Sequence, residues 1–85
     1  MSSYLSGYDI YTASGRYFGH ASSRMQAVTM IQEHKDEILY DTDDENKRGT
    51  GRLDFCGYRM HMKFGENIQP QDIREYEREQ MNYPG

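Results

Sequence analysis

Asp41, Asp43 and Glu45 stand at alternate positions, as do the first oxygen ligands of a calcium-binding loop, where carboxylates converge on one hard cation. The rest of that pattern is missing. Asn46 holds the position of the sharp turn that wants glycine, and Arg52 the position of the closing bidentate glutamate, so a solvated acidic loop is the stronger reading. Cys56 and His61 carry ligating and nucleophilic atoms, but their opposite parity in an extended strand sends them to opposite faces. No second Cys/His pair completes a zinc site. A cysteine nucleophile also needs a nearby base and an orienting group, which the sequence does not signal, so Cys56 reads as a small buried hydrophobe. His20 and His34 are isolated and read as surface or boundary histidines. Gly49-Thr50-Gly51-Arg52 is a glycine-rich turn without the lysine and hydroxyl spacing of a phosphate-cradling loop, and it follows a charged stretch instead of a strand. No catalytic residue, metal ligand or cofactor is therefore expected, and the chain reads as non-enzymatic.

Charge is more informative than any motif. The 10 Lys and Arg against 14 Asp and Glu give a net charge of −4, which disfavours a dedicated nucleic-acid binder because phosphate affinity rests on many cationic contacts. The charges are segregated, however. Glu33, Asp36, Glu37, Asp41, Asp43, Asp44 and Glu45 precede Lys47, Arg48, Arg52, Arg59 and Lys63, which only Asp54 opposes. The acidic loop residues Asp41, Asp43, Asp44 and Glu45 are the expected partner-binding segment, suited to a basic protein surface, with exposed tyrosines as anchors. The alternative is a nucleic-acid-binding sheet face built from Lys47, Arg48, Arg52, Arg59, His61 and Lys63. The plainer account of that row is the solvent side of an antiparallel sheet.

The elements that must position these residues follow from periodicity. Tyr8, Ile10, Tyr11, Tyr17 and Phe18 flank Ser14-Gly15, a dipeptide suited to a two-residue hairpin turn. That turn pairs Tyr11 with Phe18, Ile10 with Gly19 and Asp9 with His20, and leaves open which hairpin face is core. Ser23 with Gln26 has the spacing of a capping box, and Ala27, Val28, Ile31, Ile38 and Leu39 then form one helical stripe. Ile38, Leu39 and Tyr40 alternatively open a short strand. Residues 41–51 read as a polar loop. From Cys56 to Phe64 the even positions are apolar and Arg59, His61 and Lys63 alternate with them, which marks a strand, with Cys56-Gly57 as a bulge or turn where the faces exchange. Pro70 opens a last helix with a narrow stripe of Ile73, Tyr76, Gln80 and Tyr83, so residues 69–85 are expected to pack loosely or dock on a partner.

The stretch Gly15-Arg16-Tyr17-Phe18-Gly19-His20-Ala21-Ser22-Ser23 leading into Ala27 loosely resembles the hairpin-to-helix passages of AP2-like DNA-binding and integrase arm domains. The resemblance covers that passage alone and carries no residue role. At 85 residues the chain has room for a single domain, 1–85, of α+β class: an N-terminal hairpin, a central amphipathic helix, further antiparallel strands and a C-terminal helix. With one cysteine and no apolar run fit for a signal peptide or membrane span, a cytoplasmic setting without a membrane partner is expected. The function expected is protein binding by a small inhibitor or accessory protein of the sort phages encode.

Overall fold

The computed structural model describes residues 7–65 and 67–82. Four antiparallel strands, β1 (Tyr8–Tyr11), β2 (Tyr17–Ala21), β3 (Thr50–Phe55) and β4 (Tyr58–Lys63), lie side by side in the order β2-β1-β3-β4. Between β2 and β3 come α1 (Arg24–Glu33), the single turn α2 (Lys35–Ile38) and a 3-10 turn (Glu45–Lys47); α3 (Pro70–Asn82) follows β4. This is the expected α+β arrangement. Among the described residues no helix is long and apolar enough to cross a membrane.

The first hairpin departs from a two-residue turn. Thr12 N donates to Arg16 O at 2.8 Å and Gly15 N to Thr12 O at 2.9 Å, with Gly15 at φ +95°. A tighter turn would put Ser14 at positive φ as well, which its Cβ disfavours; the wider turn asks this only of glycine. The extra residue is absorbed as a bulge. Tyr11 pairs with Tyr17, not Phe18, and the ladder then shifts so that Ile10–Gly19 and Asp9–His20 pair as expected. Tyr8 and Ile10 point inward, which settles the core face.

Ser23 caps α1 by accepting from Gln26 N at 3.1 Å, while the Gln26 amide oxygen accepts from Ser22 N at 2.7 Å, a capping box reaching one residue further back. The single stripe from Ala27 to Leu39 is interrupted at His34, whose φ of −123° and ψ of 38° end α1. Ile38 and Leu39 reach the core from the separate turn α2, and Ile38 O accepts from Ala13 N at 2.7 Å, which ties that turn to the hairpin loop. They form no strand.

Cys56 and Gly57, at φ 53° and 86°, make a two-residue turn of the kind that matches strand twist, pairing Phe55 with Tyr58. The turn resets parity, so Leu53 lies opposite Met60 with both fully buried. Cys56 is exposed at the tip instead of buried, because the left-handed turn lifts it clear of both strands. The even positions Met60, Met62 and Phe64 face the core as expected.

Helices α1 and α3 cover this inner face. Ile73 is fully buried and Tyr76 partly so; Tyr83 and the side chain of Gln80 lie outside the described residues. The charged side of α3 holds a feature the periodicity hid: Glu77 is only 5% exposed. Its carboxylate accepts from the Tyr8 hydroxyl and from Arg24 Nε and Nη2 at 3.0 and 2.5 Å. Burial first, then this carboxylate, pushes the Tyr8 hydroxyl above its ordinary pKa.

Candidate functional site

With both helices on one side, no described element covers the other side of the sheet, and strand alternation sends a defined set of side chains onto it. The register orders them in rungs. One rung runs His20–Asp9–Asp54–Arg59 and the next Tyr17–Tyr11–Arg52–His61; Thr50–Lys63 lies beyond, at the end where the hairpin turn and the acidic loop meet.

The two carboxylates of the first rung are both engaged. Asp9 Oδ1 lies 2.9 Å from His20 Nδ1, and Asp54 accepts from Arg52 Nε and Nη2 at 3.0 and 3.3 Å. Arg52 is held a second time, its guanidinium carbon 3.7 Å from the centroid of the Tyr11 ring. Tyr17 meets Tyr11 edge-on at 5.5 Å and is 58% exposed. Partial desolvation, then Asp9 and Tyr11, raises the Tyr17 hydroxyl pKa. The second rung is thus an aromatic and cationic band whose central guanidinium is held from two sides, by Asp54 and by the Tyr11 ring.

Beside this band the surface dips. A hollow of about 200 Å³ lies between the hairpin loop and β3, lined by Thr12, Ser14, Lys47, Arg52 and His61 among others. A second, of about 320 Å³, adjoins it over Asn46, Lys47, Thr50, His61 and Lys63. Among the described residues neither is lined by a carboxylate. No protein-family model matches the chain, and no curated protein or solved structure matches it either.

The acidic residues divide into two kinds. Asp41 Oδ2 accepts from Arg16 Nε and Nη2 at 3.0 and 2.6 Å and from Ser14 Oγ at 3.3 Å, fastening the loop to the hairpin. Asp44 Oδ1 caps the 3-10 turn by accepting from Asn46 N at 2.9 Å. Asp43 and Glu45 are exposed, and among the described residues their carboxylates have no partner.

Of the basic residues, Lys47, Arg52, His61 and Lys63 gather around the hollows, Arg59 stays in the neighbouring rung beside Asp54, and Arg48 is exposed but lines neither hollow. Among the described residues no group of three or more His, Cys, Asp or Glu is placed to hold a metal ion. Sequence reasoning did not name Tyr11, Tyr17, Thr12, Ser14 or Thr50 as site residues. The tyrosines were visible as hairpin residues, but only the register shows that they share a rung with Arg52 and His61.

Proposed function

We propose that the protein is a small non-enzymatic binding module, acting as an inhibitor or accessory subunit, whose partner is another protein docked at the turn end of the sheet face away from the helices. One observation carries this reading. The Arg16–Asp41 pair joins the acidic loop to the hairpin and brings their chain neighbours Tyr17 and Tyr40, 58% and 51% exposed, to the same end of the sheet. Tyrosine and arginine are favoured anchors at interfaces, and the free carboxylates of Asp43 and Glu45 beside them suit a basic partner. The test is capture of the partner from the source cells, followed by binding kinetics at defined stoichiometry. Tyr17→Ala with Tyr40→Ala is expected to speed dissociation, and Asp43→Asn with Glu45→Gln to slow association at low salt. Wild-type rates for both variants would rule this surface out.

Nucleic-acid binding is the second reading, favoured by hollows around Lys47, Arg52, His61 and Lys63 that no carboxylate among the described residues lines, in a chain whose net charge is −4.

A further inference from the structure

We infer that the turn-end hollows are a phosphate site for single-stranded nucleic acid, with Lys47 and Lys63 facing the phosphodiester, Arg52 as a fixed donor and Tyr17 as the stacking platform for a base. The inference rests on the nucleic-acid reading and gives it an address. Lys47 comes from the 3-10 turn, Arg52 from β3, and His61 and Lys63 from β4, so three separate elements bring nitrogen donors to the two adjoining hollows, Arg52 to the first, Lys63 to the second, and Lys47 and His61 to both. Thr12, Ser14 and Thr50 also line them, but their hydroxyl protons are committed: Thr50 Oγ1 donates to Lys47 O at 2.6 Å, Ser14 Oγ to Asp41 at 3.3 Å, and Thr12 Oγ1 lies 3.0 Å from Ser14 Oγ. The donors left for phosphate oxygens are the nitrogens, and among the described residues Lys47, His61 and Lys63 have no carboxylate competing for theirs.

Three neighbouring carboxylates are already engaged: Asp54 is turned to Arg52, Asp9 to His20 and Asp41 to Arg16. Asp43 and Glu45 are exposed, and neither is among the described residues that line the hollows. Asp54 also orients Arg52, and with the Tyr11 ring it fixes the guanidinium before any ligand arrives.

A single strand is favoured over a duplex for two reasons. The Tyr17 ring lies on the same rung as Arg52 and His61, about 14 Å from β4 at the usual strand spacing, and an exposed ring can stack only on a base face that a duplex keeps hidden. The site is also a sheet face with a hollow at its end, and among the described residues no helix lies on that face to enter a major groove.

Fluorescence anisotropy with a labelled 12-mer of thymidylate, titrated at several salt concentrations, tests this. Three phosphate contacts predict a slope of log K against log salt of about −2 for a single strand. Lys47→Gln with Lys63→Gln is expected to weaken binding at least about tenfold at low salt and to flatten the slope by about 1.4. Tyr17→Ala is expected to weaken it about tenfold with the slope unchanged, and Arg78→Gln on α3 to leave both unchanged. Circular dichroism confirms that each variant is folded. A lysine variant with wild-type affinity and slope would overturn the site while leaving the nucleic-acid reading standing; no binding by the wild-type protein would overturn both. Equal or tighter binding of a matched duplex would overturn the single-strand assignment. Competition by inorganic phosphate, combined with no effect of Tyr17→Ala, would reduce the hollow to a simple anion site and likewise overturn it.

Discussion

Replacing Glu77 with alanine should cost about 3 kcal/mol, a large part of the roughly 4–13 kcal/mol expected for 85 residues. The figure follows from what the carboxylate touches. Tyr8, itself 5% exposed, donates its hydroxyl to Glu77 and would be left buried without an acceptor, a loss of about 1–3 kcal/mol. Arg24 loses a two-nitrogen contact, but its side chain is 41% exposed and turns back to water, so its share is held to about 1 kcal/mol. At roughly 4–8 °C per kcal/mol for a domain of this size, Tm should fall by about 12–24 °C. Tyr8→Phe keeps the stack on Phe55, at 4.9 Å between centroids, and deletes only the hydroxyl, so it should cost about 1–1.5 kcal/mol. The assay is urea unfolding of both single variants and the double variant, with the coupling between Tyr8 and Glu77 expected at about 1 kcal/mol. Glu77→Ala within about 0.5 kcal/mol of wild type, or strict additivity with Tyr8→Phe, would show that this clasp does not hold α3 to β1 and α1.

Alkaline stability gives an independent reading of the same contact. Because the folded-state pKa of Tyr8 lies above the unfolded value of about 10, its contribution is full below pH 10 and is lost as pH rises through the folded-state pKa; thermal melts from pH 9 upward should show wild type losing stability more steeply than Tyr8→Phe. Met62→Ala should cost about 2–5 kcal/mol, whereas Arg59→Ala on the solvent side of β4 should change Tm little; equal small effects would refute the face assignment. The structure separates the four loop carboxylates: Asp43→Asn with Glu45→Gln should leave Tm unchanged in thermal melts, while Asp44→Ala should lower stability by about 1 kcal/mol through loss of its cap.

Local signals in the chain were strong wherever one residue or one spacing decides the outcome. Ser23 with Gln26 started α1, Pro70 opened α3, and the alternation of Met60 and Met62 with Arg59, His61 and Lys63 separated core from solvent in β4, because capping and strand pleating act over four residues or fewer. The first hairpin was legible below its bulge and misread above it, since the turn type depends on φ at Ser14 and Gly15, and one inserted residue moves Phe18 out of register. His34 broke a stripe that looked continuous because Ile38 bonds back to the hairpin loop at Ala13, a contact 25 positions away that no local pattern encodes.

The site divides in the same way. Sequence determined that Arg59, His61 and Lys63 share a face, and that acidic and basic blocks adjoin along the chain. Only tertiary structure decided which of those charges are free. Asp41 is spent on Arg16, Asp54 on Arg52 and Glu77 on Arg24 and Tyr8, while Lys47, His61 and Lys63 line hollows that no acid among the described residues lines. The Arg16–Asp41, Arg24–Glu77 and Tyr8–Glu77 contacts join residues 25, 53 and 69 positions apart. Periodicity reports which side of its own element a residue occupies; the strand order β2-β1-β3-β4 and the packing of α3 set what stands opposite it.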